Sequence, residues 1–248
     1  MLTQPLLDKL SQLKLAGFRQ ALEEQLAVPH YAELSEERLG LLLDVEVTRR
    51  AENSLKRRIR AAEFPLPATI ADLDLSSRRG LKRAEVLQLA QSEWVRHRLN
   101  ILVLGPTGAG KSYLAAALGR AACEAGYSVR YVRTSRLLHA LELAHADGSF
   151  TKVLAQLARI QLLILDDWLR DSLSRPQARD LLEILDDRYG RTATMVATQV
   201  PVVEWHARIP DPTLADAILD RLIHNAYRLE LKGESMRKTH SPLATDEN

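Results

Sequence analysis

Residues 105–112 read Gly-Pro-Thr-Gly-Ala-Gly-Lys-Ser and follow directly on the apolar run Ile101-Leu102-Val103-Leu104. Glycines bracketing four residues, then Lys-Ser, between a predicted strand and a predicted helix, form the pattern of a phosphate-binding loop. Gly105, Gly108 and Gly110 permit a tight turn that points successive backbone N–H groups at a phosphate. The helix expected over 111–125 adds its positive end, and Gly126 suits its termination. Lys111 is expected to reach the β- and γ-phosphates and the Ser112 hydroxyl to ligate Mg²⁺. Pro106, Thr107, Ala109 and Tyr113 complete the loop and first helical turn that would touch the nucleotide. The alternative is a glycine-rich turn that binds nothing.

A second motif lies at 162–167, Leu-Leu-Ile-Leu-Asp-Asp. Four aliphatic residues suit a strand buried on both faces, with two carboxylates at its C-terminal edge, the edge that also carries the phosphate loop. Asp166 is expected to hold Mg²⁺, mostly through water, and Asp167 to orient or deprotonate the attacking water. The other reading is a solvated acidic strand end. Farther on, Thr194-Met195-Val196-Ala197-Thr198-Gln199 is a further buried-strand candidate. Thr198 or Gln199 would sit between the carboxylates and the γ-phosphate, or the strand simply ends before a turn at Pro201.

These groups need a scaffold. Strands are predicted at 100–104, 128–133, 161–166, 193–198 and 226–231, and helices at 111–125, 135–146, 150–158, 176–189 and 213–224. Ser174 and Pro176 suit the start of the 176–189 helix and Gly190 its end. Short apolar strands alternating with helices imply an α/β fold, a parallel five-stranded sheet between helices. The first third is helical instead. Leu6, Leu7, Leu10 and Leu13 recur at helical spacing, as do Phe18, Leu22 and Leu26, with Gly17 and Pro29 as punctuation. Ser35 suits the N-cap of a long third helix over 36–63, which must stop before Phe64-Pro65-Leu66-Pro67. A small all-helical domain is therefore expected over 1–64 and the nucleotide domain over 65–248.

Length and composition agree with this division. A chain of 248 residues, 46% hydrophobic and 27% charged, builds a packed core and excludes wholesale disorder. A net charge of +2 requires any nucleic-acid contact to come from a local patch. The single cysteine, Cys123, cannot form an internal disulfide and reads as a small core residue. No signal pattern or 18-residue apolar run is evident, so a cytoplasmic protein with no membrane contact is expected. The seven histidines show no ligand spacing, which leaves Mg²⁺ carried with the nucleotide as the expected metal.

Taken together, the motifs resemble the IstB-like ATPases, helper proteins of IstA/IstB-type insertion sequences, grouped with DnaC-type helicase loaders in the AAA+ superfamily. The resemblance spans the chain. It rests on 57–65 (Arg-Arg-Ile-Arg-Ala-Ala-Glu-Phe-Pro), the phosphate loop, Leu165-Asp166-Asp167-Trp168, 214–222 (Leu-Ala-Asp-Ala-Ile-Leu-Asp-Arg-Leu) and 231–238 (Leu-Lys-Gly-Glu-Ser-Met-Arg-Lys). It implies a P-loop AAA+ core, ATP as the nucleotide, Mg²⁺-dependent hydrolysis and a role in DNA transposition. It places Arg221 where such proteins carry an arginine finger and Arg237 where they carry a second sensor arginine acting in cis. From the residues alone, Arg221 reads equally as a helix-end ion pair, for instance with Asp220. A finger acting in trans implies a homo-oligomer with ATP sites shared between subunits. The residues after the last strand leave room for a reduced or absent lid.

Arg49, Asn53, Lys56, Arg57 and Arg60 fall on one face of the third helix and form a candidate surface for duplex DNA, or else a solvated charged face. Val47, Ala51, Leu55, Ile59 and Ala62 are expected to dock on the first two helices. Arg78, Arg79, Lys82 and Arg83 form a second basic cluster. The leading function is an ATP-dependent regulator of transposition that assembles on duplex DNA and engages an IstA-like transposase. A DnaC-like replicative helicase loader, a nucleotide switch that barely hydrolyses and a small-molecule P-loop kinase are the alternatives.

Overall fold

The structure, a computed structural model, describes residues 3–27, 36–75 and 80–233. Ser35, Arg78, Arg79 and Arg237 lie outside the described residues. The chain divides into two compact units, Met1–Arg57 and Arg58–Asn248.

The first unit contains α1 (Thr3–Gln12), α2 (Ala16–Leu26) and the larger part of α3 (Glu36–Ala62). Leu7, Leu10, Phe18, Leu22 and Leu42 form its core. The break between α1 and α2 falls at Lys14, with φ 58°, and Gly17 lies inside α2 rather than between helices. The residue before α2, Leu15, offers no side-chain cap. Glu46 of α3 supplies one: its Oε2 accepts from Gly17 N at 2.7 Å and Phe18 N at 3.2 Å. A Cβ on Gly17 would lie 2.9 Å from that oxygen, so glycine makes room for the carboxylate.

Around this contact α3 departs from the expected orientation. Leu42 and Glu46 are buried and Arg49 half-buried, whereas Val47 is 64% exposed and Ala51 is exposed. At 100° per residue, the face carrying Leu42 and Glu46 continues into Arg49, Asn53, Lys56 and Arg60. Farther along, Asn53, Lys56, Arg57 and Arg60 are exposed, whereas Leu55 and Ile59 are half-buried and Ala62 is buried, so the inward-facing side changes along the helix.

The second unit holds five parallel strands: β1 (Asn100–Leu104), β2 (Val129–Arg133), β3 (Leu162–Asp166), β4 (Ala193–Thr198) and β5 (Ala226–Glu230). Their order is β2-β3-β4-β1-β5. Every residue of β3 and β4 is buried, as their aliphatic runs require. One face of the sheet, with Leu102, Leu163, Leu165 and Val196, packs on residues of α7 (Thr134–Asp147), α8 (Phe150–Arg159), α9 (Arg175–Arg188) and α10 (Pro212–Ile223). The other face receives α6 (Lys111–Glu124), whose Gly119 lets the helix lie against Ile164: a Cβ there would meet Ile164 Cδ1 at 2.6 Å and Phe64 Cε1 at 2.7 Å. Two short helices, α4 (Arg83–Ala90) and α5 (Glu93–Arg96), precede β1 and were not expected from the sequence.

Helix boundaries follow local chemistry. Ser174 and Gln177 form a reciprocal capping box on α9, and Gly190, φ 66°, lies just past its end. Asp211 accepts from Thr213 N at 3.0 Å and Leu214 N at 3.4 Å to start α10. These bonds, that from Leu214 foremost, lower the Asp211 pKa. The end of α3 belongs to the second unit because Arg58 Nε donates to Cys123 O at 2.8 Å, Glu63 pairs with Arg130, and Phe64 meets Tyr131 edge-on at 6.3 Å. Cys123 is buried, and that burial pushes its thiol up to about 11. No helix among the described residues is long and apolar enough to cross a membrane.

Candidate nucleotide site

The strand order explains why chemistry gathers at one place. β4 lies between β1 and β3, so the loop leaving β1, the carboxylates ending β3 and the polar end of β4 converge at the C-terminal edge. The chain also leaves β1 for a strand at the far side of the sheet, and that divergence opens a crevice there.

The loop 105–110 needs its glycines. Gly105 has φ 151° and Gly110 φ 96°, and a Cβ on Gly105 would lie 2.6 Å from Leu231 O. Gly110 forms the N-cap of α6 without a side-chain cap, which leaves the first N–H groups of that helix available to an anion. Lys111 Nζ donates to Pro106 O at 2.8 Å, folded over the loop. Tyr113 is half-buried in the first turn of α6, and Ala109 is buried.

Ser112 Oγ donates to Asp166 Oδ2 at 2.8 Å, which brings the two residues expected to share Mg²⁺ together. A hydroxyl and a carboxylate side by side are hard oxygen donors of the kind Mg²⁺ takes from protein beside a phosphate. Two partners of Asp166 were not anticipated. Tyr131 OH donates to the same Oδ2, and Thr134 Oγ1 donates to Asp166 O at 2.9 Å. Burial, reinforced by the negative charge of Asp166, raises the Tyr131 pKa, so the phenol remains a donor.

Asp167 adopts φ 53° and is 37% exposed. Its Oδ2 lies 3.9 Å from Arg133 Nε and 3.7 Å from Arg170 Nη1. Together with Thr134, Ser135, His139 and Arg170 it borders a cleft of about 310 Å³. Arg133 stands opposite Asp166 in the β2/β3 register, a relation that becomes legible only once the strand order is known.

At the end of β4 the two sensor candidates separate. Thr198 is buried; its hydroxyl donates to Trp168 O at 2.5 Å and accepts from Val200 N at 3.0 Å. Gln199 is exposed, and its Oε1 accepts from Thr107 Oγ1 of the loop. Thr198 is thus turned to the backbone, and Gln199 reaches the loop.

Arg221 lies in the last turn of α10 and pairs with Asp186 of α9. Asp220, the partner named in the alternative ion-pair reading, instead lies 2.8 Å from His224 Nε2. On α3, Arg49 is held by Glu46 at 2.9 Å, and Lys56 Nζ lies 3.9 Å from Glu52. Arg57 and Arg60 are exposed.

Known proteins share this pattern. Residues 8–244 match the family model described as IstB-like ATP binding protein. A candidate insertion sequence ATP-binding protein of Sinorhizobium fredii is 45% identical over 239 residues, covering 96% of this chain and 98% of that protein. A candidate ATP-binding protein of insertion sequence IS1162 from Pseudomonas fluorescens is 46% identical over 203 residues, 81% of this chain and 88% of that protein. Among solved structures, DnaI superposes with a TM-score of 0.58 at 20% identity, over 71% of this chain and 94% of that one. That likeness fits the P-loop AAA+ fold of the second unit.

Proposed function

The chain belongs to the family of IstB-like ATP-binding proteins, and on that premise we propose that it hydrolyses ATP to regulate DNA transposition. With ATP it assembles on duplex DNA and engages a partner transposase; hydrolysis releases the assembly. The observation that carries this reading is the meeting of Ser112 with Asp166 beneath the phosphate loop, with Asp167 one residue beyond.

The loop N–H groups and the α6 N-terminus hold the phosphates. Lys111 exchanges Pro106 O for phosphate oxygens. Ser112 and Asp166 hold Mg²⁺, which when bound neutralises phosphate charge. Arg133 and Arg170 fix the carboxylate of Asp167. Asp167 takes a proton from the attacking water as the water oxygen bonds to the γ-phosphorus and the bond from that phosphorus to the β–γ bridging oxygen breaks. The products are ADP and inorganic phosphate. Gln199, bonded to Thr107, senses the γ-phosphate. Arg221 of a neighbouring copy stabilises the charge that develops, and Arg237 acts as the second sensor in cis. Arg57 and Arg60, with Lys56 and Arg49 alongside, bind the duplex backbone.

Nucleotide binding and sedimentation of the full chain with duplex DNA test this reading. Lys111→Ala is expected to lose both ATP binding and ATP-driven assembly; assembly at wild-type level refutes the model. Arg57→Ala with Arg60→Ala is expected to weaken duplex affinity for all sequences alike and to reduce the salt slope by about 2. Recovery of a hexameric helicase in place of a transposase overturns the transposition role.

A further inference from the structure

The guanidinium of Arg221 is fastened from two directions. Nε donates to Asp186 Oδ1, and Nη1 donates to Ala217 O at 2.9 Å, one turn back on α10. The backbone beneath it is fastened too. Asn100 Nδ2 donates to Arg221 O at 2.9 Å and to Leu222 O at 3.2 Å, while Asn100 Oδ1 accepts from Thr194 N at 2.9 Å. The start of β1 thereby ties the end of α10 to β4.

A guanidinium presents five N–H donors in a planar fork. Here two are engaged, and Nη2 makes no hydrogen bond among the described residues. The side chain is 28% exposed. Nε and Nη1 are anchored, and Nη2 retains donors suited to phosphate oxygens. Asp186 is itself 45% exposed, so water partly screens the pair.

We infer that Asp186 is a positioning residue that holds the Arg221 guanidinium ready to meet the γ-phosphate bound by a neighbouring copy. The inference rests on the reading of Arg221 as a finger acting in trans. A free arginine side chain loses much rotamer freedom when it docks, and that loss would fall on assembly or on the transition state. Anchoring by Asp186 moves the ordering into the folding of each protomer, so the cation arrives with its donors already aimed.

Steady-state hydrolysis with duplex DNA, binding of a fluorescent ATP analogue and mixing of variants test it. Asp186→Asn is expected to lower kcat on the order of 10- to 100-fold, with KM for ATP and analogue affinity unchanged. Asp186→Glu is expected to recover part of the rate. Mixing Asp186→Asn with Asp167→Asn is expected to exceed either variant alone, because intact ATP sites of the first meet intact fingers of the second. Wild-type kcat in Asp186→Asn beside an inactive Arg221→Ala overturns the role of Asp186 alone. Wild-type kcat in Arg221→Ala overturns the finger reading itself. Absence of any gain on mixing reduces the pair to a contact within one chain.

Discussion

The hydroxyl of Ser112, first turn of α6, donates a 2.8 Å hydrogen bond to the carboxylate of Asp166, last residue of β3. Fifty-four positions separate them in sequence, and the strand order brings them together at the edge that carries the loop between β1 and α6. Ser112→Ala removes the donor without enlarging the side chain. The expected outcome is a loss on the order of 10- to 100-fold in ATP affinity measured with Mg²⁺, with little change when the metal is chelated. Equal losses under both conditions would show that the hydroxyl serves the loop and not the metal.

Gly105 carries a sharper steric demand. A Cβ there would approach Leu231 O at 2.6 Å, and that oxygen belongs to backbone that cannot rotate aside. Leu231 N is in turn bonded to Leu104 O at 2.8 Å, so the two segments are pinned together. Gly105→Ala is expected to displace the loop and to abolish nucleotide binding in a titration, with a stability loss on the order of 1–3 kcal/mol. Gly126→Ala provides the contrast: among the described residues nothing lies within 4 Å of a Cβ there, and only its φ of 100° resists, so nucleotide binding is expected to be retained.

Much of the second unit was legible because parallel strands buried on both faces leave aliphatic runs with polar ends. The run 100–104 became β1 and 193–198 became β4 without adjustment. Strand order leaves no such local trace. Tyr131 and Arg133 looked like ordinary β2 residues until pairing with β3 set Arg133 opposite Asp166. The alternative reading of Arg221 as a helix-end ion pair named Asp220 by adjacency, yet neighbouring positions on a helix diverge by about 100°, and the carboxylate comes from α9. On α3 the departure from the expected faces is confined to the segment around Glu46. Glu46, which carries no periodicity signal of its own, is buried and draws Arg49 toward its own face.

Glu46 gives that arrangement a pH signature. Hydrogen bonds from Arg49, then from Arg50 and the N–H groups of Phe18 and Gly17, outweigh burial and hold its carboxyl at about 2. An unfolded glutamate titrates at about 4.3. The folded pKa is the lower one, so the stabilisation is fully present above the unfolded value and is lost as pH falls toward 2. Circular dichroism of the helical signal between pH 5 and 2 is expected to show partial loss in the wild type. Glu46→Gln is expected to be less stable at neutral pH and to respond less to acid across that interval.

Arg188 makes the most demanding claim about stability. It is 1% exposed, and among the described residues no carboxylate is a hydrogen-bond partner. Nε donates to Thr194 Oγ1 at 3.1 Å, Nη1 to Leu157 O at 2.6 Å and Ile160 O at 2.8 Å, and Nη2 to Ala193 O at 2.5 Å. Burial alone lowers its pKa, yet the side chain ties the end of α8 and the start of β4 to α9. Arg188→Ala leaves three carbonyl groups without this donor and opens a cavity beneath the sheet. The expected loss is about 3–5 kcal/mol, read as a fall in the urea midpoint. Arg188→Lys keeps the charge but replaces a planar fork with one ammonium that cannot span four acceptors, so it is expected to recover only part of that loss. A lysine variant as stable as wild type would mean that the charge, rather than the fork, holds α8, α9 and β4 together.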